Sequence, residues 1–510
     1  MCPVRSSGIQ LRMGDNQIGV VKDMQDKSLS RLVVRGGVWS FLLKISQIFL
    51  QVIKLIILAR VLDPHTFGLF GIALLFTMAL ETLSQTGFDL ALIHKKDNIG
   101  TFLDVSWTVA VVRGFVLFST IYLSAPFVAV FFNVPEALSM MRVIGILPII
   151  QGFNNIGIIY FRKDIEFRKD FFYQMSGILT SFIITLILVV TFKNVWALIF
   201  GNLVGGIVRL ISGYIIHPFR PRFCLATTKI KELFSYGKWV FATGIMVFLV
   251  NSGDDIFVGR VLGVTVLGFY QMAYRISQLP STEFVKVISA VTFPAYAKLQ
   301  KNSSKLKKAF LRILNIVAFF AILFSGGIFV FSSDLVNFIL TEKWKPIIPI
   351  IKLLAFAGLF RALLGTGGPL FMGVGKPKID FRMNRMRLFV MAICIYPLTI
   401  LWGVPGTALT IVIANLSCFY IWGKETKSLL LLTGREYVRI IIPPIVAVIM
   451  SSMLIIICRW FLPDNLTVFM FLVTVFTSTF IAVTFFLSRA LSNDLFKDLS
   501  LILHTIRRKL

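Results

Sequence analysis

Polar side chains recur at regular spacing through the first long apolar stretch of this 510-residue chain. They are separated by four, three, four and three residues, at Ser40, Lys44, Gln47, Gln51 and Lys54. On an α-helix, which turns about 100° per residue, this spacing confines all five to an arc of about 80°. Amines and amides on one face of an apolar helix can bind anionic or hydroxylated groups. The stripe therefore predicts the lining of a polar cleft.

Other apolar stretches also contain isolated charges. A charge at the centre of a membrane helix costs about 2.5–3.5 kcal/mol on insertion scales, so such residues tend to face a cavity or a partner. Because the charges inside these stretches are mainly positive, we expect an anionic substrate such as a phosphate or an acidic sugar. The candidate substrate-binding residues are Lys44, Gln47, Gln51, Lys54, Glu81, Arg113, Arg275 and Arg361.

A structural explanation is open for several of these residues. Lys44 could pair with Glu81, which by residue count lies at about the same depth in the membrane in the next apolar stretch. The side chain of Lys54 could extend outward to the membrane interface. Asp254 and Asp255 lie near the outer end of their stretch, where they could form a solvated cap.

Weaker polar patterns occur in two further stretches. Gln151, Asn154 and Asn155 follow Pro148 within one of them. In the other, Asn202 and Arg209 are seven residues apart, and two glycines there have the small-xxx-small spacing that permits close helix packing, at Gly201 and Gly205.

The composition shows what must position these residues. Hydrophobic residues make up 57% and charged residues 15% of the chain, and its mean hydropathy is +0.84. Soluble domains are about 25% charged, so a soluble enzyme and a disordered chain are excluded. Continuous apolar runs without strand-like alternation indicate helices, so we predict an all-α polytopic membrane protein of about 14 transmembrane helices. The predicted spans are 36–58, 68–87, 104–127, 138–160, 171–192, 195–216, 237–258, 264–284, 310–331, 346–372, 383–401, 404–423, 438–459 and 465–487.

The excess of positive charge tests this topology. The chain has 52 Lys and Arg against 24 Asp and Glu, a net charge of +28. With fourteen spans, 38 of the 52 lie on the side of the two termini, 6 lie on the opposite side and 8 lie inside spans. By the positive-inside rule both termini are cytoplasmic, in a multi-pass protein of the inner (cytoplasmic) cell membrane. The charge is thus a topology signal, and we expect no nucleic-acid partner.

An internal repeat has a constant offset of 200 residues. The matching pairs are Gly37–Phe41 with Gly237–Phe241, Ala59–Asp63 with Gly259–Gly263, and Phe67–Phe70 with Leu267–Tyr270. The copies begin six helices apart, an even number, so the repeats are parallel and are related by an axis along the membrane normal.

The repeat and the spans give the domain organisation. We predict a cytoplasmic N-terminal segment, an N-lobe of six helices, a cytoplasmic linker, a C-lobe of six helices, two extra C-terminal helices and a cytoplasmic tail. Their respective ranges are 1–35, 36–216, 217–236, 237–424, 438–488 and 489–510.

Catalytic and nucleotide-binding motifs are missing from the sequence. It contains no GxxxxGK[ST] phosphate-binding loop, and no outer loop exceeds about 15 residues at the predicted span boundaries. We therefore expect that the protein is not an enzyme and that it uses no cofactor or metal.

Several motifs resemble one family of transporters. The matching segments include Leu58-Ala59-Arg60-Val61-Leu62-Asp63-Pro64, Asp89-Leu90-Ala91-Leu92-Ile93, Asp255-Ile256-Phe257-Val258-Gly259-Arg260-Val261-Leu262-Gly263 and Gly373-Val374-Gly375-Lys376-Pro377. The chain resembles the Wzx-type polysaccharide and oligosaccharide flippases. These form the polysaccharide transporter (PST) family of the multidrug/oligosaccharidyl-lipid/polysaccharide (MOP) flippase superfamily. The resemblance is strongest to the subgroup of colanic-acid and teichuronic-acid exporters.

The resemblance implies both an architecture and an activity. The two six-helix lobes would form a V, and alternating access would move an undecaprenyl-diphosphate-linked oligosaccharide to the outer leaflet. Partners would be this lipid-linked substrate, membrane lipids, and the polymerase and glycosyltransferases of the same pathway.

Two alternative functions stay open. A cation-coupled small-molecule antiporter of the same superfamily would need an acidic site such as Glu81, and a membrane polysaccharide polymerase or ligase would need a large outer loop.

Overall fold

The computed structural model describes residues 18–84, 100–163, 166–224, 227–491, 493, 495–498 and 500. Every regular element in these ranges is a helix. Eleven of the described helices are long and apolar enough to cross a membrane. The chain is therefore an all-α polytopic membrane protein, as its composition predicts, and the total of fourteen spans remains a prediction.

The chain divides into two compact units, Met1–Phe248 and Leu249–Leu510. The helices of the first unit are α1 (Ile18–Val61), α2 (Pro64–Leu83), α3 (Gly100–Phe132), α4 (Ala137–Ile144), α5 (Leu147–Gly152), α6 (Phe167–Phe192) and α7 (Trp196–Ile216). A further helix, α8 (Thr227–Val261), runs across the boundary between the units. Residues 227–236 of the predicted linker are therefore helical.

The second unit contains the remaining long helices. They are α9 (Val264–Leu299), α10 (Ser303–Val330), α11 (Ile348–Gly365), α12 (Gly367–Gly373), α13 (Lys378–Trp402), α14 (Val404–Leu430), α15 (Gly434–Phe461) and α16 (Leu466–Ala490). Within this unit α9 and α14 pack on α11, and α10 packs on both α11 and α15.

Helix ends keep the offset of the sequence repeat. Helix α1 ends at Val61 and α8 at Val261, and the next helices begin at Pro64 and Val264. At the first of these turns the side chain of Asp63 accepts a hydrogen bond from the Thr66 amide, 2.8 Å away, and so caps α2. The repeated motifs therefore mark a helix end, a tight turn and a helix start.

The fourth predicted span, 138–160, is not one continuous helix. It is divided into α4, α5, a 3₁₀ turn at Ile156–Ile158 and a short helix at Ile159–Lys163. Asn155 has an extended backbone, with φ of −65° and ψ of 109°, because its own side chain caps the 3₁₀ turn. The corresponding helix of the second unit is also interrupted, between α11 and α12.

Eleven predicted spans correspond to the eleven long apolar helices. The other three are 138–160 and the spans 237–258 and 264–284, which lie within α8 and α9, where side chains are described only in part.

Candidate functional site

Helix α1 carries the polar stripe and packs on α6 within the first unit. Beside the first turn of α6, the Trp39 ring of α1 lies edge-on to Phe171, with 5.2 Å between the ring centroids. Further along, the Lys54 ammonium lies 3.4 Å from the hydroxyl of Ser181 on α6. This packing turns the stripe towards α6 and α7.

Four of the five stripe residues line one cavity of about 430 Å³. They are Lys44, Gln47, Gln51 and Lys54, and the opposite wall comes from α5, α6 and α7. That wall adds further polar groups, namely Gln151, Ser181, Asn202 and Arg209. The described lining thus has three cationic side chains and no carboxylate. We call this space the cationic cavity.

Glycines set the wall of the cationic cavity. A β-carbon at Gly201 on α7 would lie 2.0 Å from the hydroxyl oxygen of Thr185 on α6, and one at Gly205 would lie 2.6 Å from the β-carbon of Ser181. The two helices therefore approach as closely as the small-xxx-small spacing predicts. As a result, Ser181 can donate a hydrogen bond to Asn202, with 3.4 Å between the oxygen atoms.

A second cavity of about 340 Å³ adjoins the first, and the two share Gln151 and Arg209. Its lining includes the predicted residues Glu81 and Arg113, two aromatic rings and several amides, among them Trp107, Tyr173, Asn154, Asn155 and Gln174. We call this space the mixed cavity, because it combines one carboxylate, two guanidinium groups, amides and rings.

The Arg113 guanidinium is held at the C-terminal end of α2. It donates to the Ser84 hydroxyl and to the backbone carbonyl of Glu81, each at 2.9 Å. Arg113 therefore has a structural role as well as a place in the cavity wall. Both Arg113 and Arg209 lie within Coulombic range of the Glu81 carboxylate.

Four buried polar atoms in the lining of the mixed cavity lack a hydrogen-bond partner among the described residues. They are Oε1 of Glu81, Oδ1 of Asn154, Nε of Arg209 and Nε1 of Trp107. Leaving a buried polar group without a partner costs about 1–3 kcal/mol, so such atoms are usually satisfied by a ligand or water. Two acceptors and two donors in one cavity suit a hydroxylated ligand.

The remaining predicted residues, Arg275 and Arg361, lie in the second unit. Arg361 donates to the hydroxyl of Tyr274 and to the side-chain oxygen of Asn251. Arg275 lies within Coulombic range of Asp255. The space beside Arg361 is only about 10 Å³, roughly the volume for one water molecule.

The cap interpretation of Asp254 is wrong. Its side chain is 3% exposed, and it accepts a 2.6 Å hydrogen bond from the Tyr270 hydroxyl. It is therefore part of a packed polar cluster of the second unit, not a solvated helix end.

Sequence reasoning left several lining residues out of the candidate set. Arg209 lines both cavities, and Gln151 lies between them, but each had only a weak pattern as its signal. Trp107, Tyr173 and Ser181 had none, because an aromatic or hydroxyl residue in an apolar helix is ordinary.

Membrane helices that surround polar, charged cavities are typical of transport proteins. The chain belongs to the polysaccharide biosynthesis protein family, since its residues 57–349, more than half of its length, match the sequence model of that family.

Individual relatives agree with this assignment. The chain is 28% identical to the lipopolysaccharide biosynthesis protein WzxC of Escherichia coli K12, over 72% of this chain and 76% of WzxC. It is 22% identical to the teichuronic acid biosynthesis protein TuaB of Bacillus subtilis, over 69% of this chain and 74% of TuaB. It is also 22% identical to the succinoglycan biosynthesis transport protein ExoT of Rhizobium meliloti, over 69% and 71% respectively.

Solved structures share the fold. The lipid II flippase MurJ, in an inward closed conformation, matches with a TM-score of 0.71 and 16% identity, over 90% of this chain and 99% of MurJ. A multidrug resistance MATE family transporter of the MOP superfamily, facing inward, matches with a TM-score of 0.60 and 18% identity, over 77% and 99%. The chain therefore shares the fold of these two transport proteins.

Proposed function

We propose that this protein is a flippase that moves an undecaprenyl-diphosphate-linked oligosaccharide from the inner to the outer leaflet of the cytoplasmic membrane. The product would serve the export of a surface polysaccharide. Family membership and the names of WzxC, TuaB and ExoT support the pathway. The observation that carries the proposal is the cationic cavity inside a membrane-embedded unit.

The charge of the cationic cavity suits a diphosphate. Lys44, Lys54 and Arg209 face a space without a described carboxylate in its lining, and a diphosphate carries several negative charges in a small volume. Hydrogen bonds to charged groups are stronger than neutral ones, and low dielectric strengthens them further. The amides of Gln47 and Gln51 would add donors to the phosphate oxygens.

The mixed cavity suits the first sugars of the oligosaccharide. Its amides and aromatic rings are groups that can bind hydroxyls and ring faces, and its unpartnered acceptors and donors match a hydroxylated ligand. Since the two cavities share Gln151 and Arg209, the diphosphate and its attached sugar would occupy neighbouring spaces of one unit.

The rest of the proposal follows from topology. The polyprenyl tail would stay in the bilayer, both termini would be cytoplasmic, and alternating access would expose the head group on the other side. Pathway polymerase and glycosyltransferases would be the protein partners. Arg275 and Arg361 remain predicted substrate contacts that await a test.

The test is a flipping assay with purified protein in liposomes. A fluorescent undecaprenyl-diphosphate oligosaccharide is quenched from outside, and the rate at which the protected fraction becomes accessible is measured. We expect the variant K44Q/K54Q to lower this rate about a hundredfold, since hydrogen bonds to charged groups contribute about 1.5–3 kcal/mol each. Its binding of undecaprenyl diphosphate should fall, whereas its weak binding of undecaprenol should not change.

K193Q is the control for the loss of a lysine elsewhere, since Lys193 is exposed on the loop after α6 and lies outside both cavities. Full activity of K44Q/K54Q would reject the assignment of the cationic cavity.

A second candidate function is cation-coupled antiport, which the membrane-embedded Glu81 favours. Proton-driven transport of an organic cation that E81Q abolishes, without any flipping, would support that candidate instead.

A further inference from the structure

A third cavity, of about 630 Å³, lies in the second unit and takes no part in the function proposed above. The first turns of α10 and α15 form two of its walls, and the chain that follows α16 forms the third. Its polar lining consists of Lys305, Lys308, Arg312, Asn315, Glu436, Arg439, Asn493 and Asp498. We call it the C-terminal cavity.

Both carboxylates of the C-terminal cavity are engaged by cations. Asp498 pairs with Arg312 at 2.6 Å, and Glu436 pairs with Lys307 at 2.9 Å. The other oxygen of Glu436 accepts a hydrogen bond from the Thr433 amide at 2.8 Å, which caps α15. Neither carboxylate is therefore available to neutralise the remaining lysines.

Three cationic groups are left to face the cavity. Lys305 and Lys308 lie one turn apart on α10, both are exposed, and no described side chain pairs with either ammonium. The Nε of Arg439 donates to the carbonyl of Leu491, which positions its guanidinium at the rim. An anion in the cavity would meet an excess of positive charge.

The floor of the cavity is built by a pair of amides. The side-chain nitrogen of Asn315 donates to the oxygen of Asn493 at 2.6 Å, and the reverse hydrogen bond is 3.2 Å long. Asn493 also donates to the backbone carbonyl of Arg439 at 3.0 Å. These bonds join α10, α15 and the chain after α16, so the cationic groups are held around one space.

An exposed apolar stripe leads away from the cavity along α15. Ile442, Met450 and Met453 are 42%, 51% and 63% exposed, and their positions three, eleven and fourteen residues after Arg439 place them within about 60° of it around the helix. A ligand with a phosphate at one end and hydrocarbon at the other would match both features. A free phosphate shares the first part of this chemistry but has nothing to place on the stripe.

We propose that the C-terminal cavity binds the phosphate head group of an anionic phospholipid, with an acyl chain along the α15 stripe. Basic pockets between membrane helices, at the level of the head groups, suit such lipids. Arg439, Asn493 and the stripe lie beyond the family-matched residues 57–349, whereas Lys305, Lys308 and Asn315 lie within them, so the site would join the family-matched part of the chain to its two C-terminal helices.

The test uses the full-length protein in native mass spectrometry, after equilibration with vesicles of equal parts phosphatidylglycerol and phosphatidylcholine. We expect one retained phosphatidylglycerol per wild-type chain. K305Q/K308Q should bind it roughly thirty-fold more weakly, since each lysine near an anionic surface contributes roughly a factor of five. K305R/K308R should retain the lipid, because it keeps both charges.

K298Q/K301Q is the matched control, since these exposed lysines precede α10 and lie outside the cavity. It loses the same charge, and we expect it to keep the lipid. Equal loss in both double variants would show a non-specific surface effect and overturn the proposal. So would displacement of phosphatidylglycerol by inorganic phosphate alone, because the ligand would then be a soluble anion.

Discussion

At the scale of single residues, two neighbouring asparagines have different roles. The side chain of Asn154 lines the mixed cavity, where its oxygen has no partner among the described residues. Asn155 also lies on the edge of this cavity, but it is 1% exposed and its amide nitrogen donates to three carbonyls, those of Gly213, His217 and Phe219. It thereby ties the interrupted fourth segment to the end of α7.

Replacing Asn155 by aspartate tests this structural role. A carboxylate in its place would lose these three hydrogen bonds and would place its negative charge against three carbonyl oxygens. We expect N155D to lower the free energy of unfolding by about 2–4 kcal/mol, measured as an earlier loss of the monodisperse peak when the detergent-purified protein is heated.

The same substitution at Asn194 provides the control. The side-chain oxygen of Asn194 accepts a hydrogen bond from the Trp196 amide at 3.1 Å. Aspartate keeps this acceptor, and its negative charge would lie near the start of α7. N194D should therefore leave the unfolding midpoint unchanged or raise it. Equal stability of N155D and the wild type would contradict the role assigned to Asn155.

At the scale of elements, the hairpin between α13 and α14 shows how tightly membrane helices are joined. Trp402 ends one helix and Val404 begins the next, with Gly403 between them at a φ of 60°. The hydroxyls of Thr399 and Thr407 are hydrogen-bonded at 2.8 Å across the turn. The sequence predicts this turn from the two glycines and the proline that interrupt a charge-free run, and the structure confirms it.

Gly406 is the position where this hairpin has no room for a side chain. A β-carbon there would lie 1.9 Å from the backbone oxygen of Leu398, which cannot move without separating the helices. We expect G406A to reduce the yield of folded protein and to destabilise it by about 3 kcal/mol.

Gly423, on the same helix, has open space where a side chain would begin. No atom of the described residues lies within 4 Å of the position that a β-carbon would take there. Because alanine favours a helix over glycine by about 1 kcal/mol, G423A should be at least as stable as the wild type. Melting of both variants in detergent compares them directly, and a stable G406A would disprove the close approach.

At the scale of the whole molecule, the described helices follow the same order twice along the chain: three long helices, one interrupted helix and two long helices. The second unit then adds α15 and α16. The bias of 38 positive charges on one side against 6 on the other depends on every span, because a missing helix would exchange the sides of all later loops. The charge count and the span count therefore support each other.

Epitope insertion tests the predicted topology. A tag inserted after Asp464, in the turn between α15 and α16, should bind antibody in spheroplasts with an intact cytoplasmic membrane. A tag inserted after Lys301, before α10, should bind antibody only after permeabilisation. Accessibility of both sites from the same side would show that the span count between them is wrong.

The sequence by itself determined the class of protein, most of the spans, the helix ends of the repeat and the polar stripe. Hydropathy, periodicity and the distribution of charge can all be counted along the sequence without knowing which helices are in contact. The eight candidate residues were chosen in the same way, and four of them, Lys44, Gln47, Gln51 and Lys54, line one cavity.

Only the tertiary structure decided which residues share a space. It placed Glu81 and Arg113 in a neighbouring cavity, Arg275 and Arg361 in the second unit, and Arg209 in the walls of both cavities of the first unit. A cavity wall is assembled from helices that are distant in sequence, and their rotation about their own axes is fixed by close packing such as that of Gly201 against Thr185. Residue spacing along one helix shows which residues share a face, but it does not show which other helices that face meets.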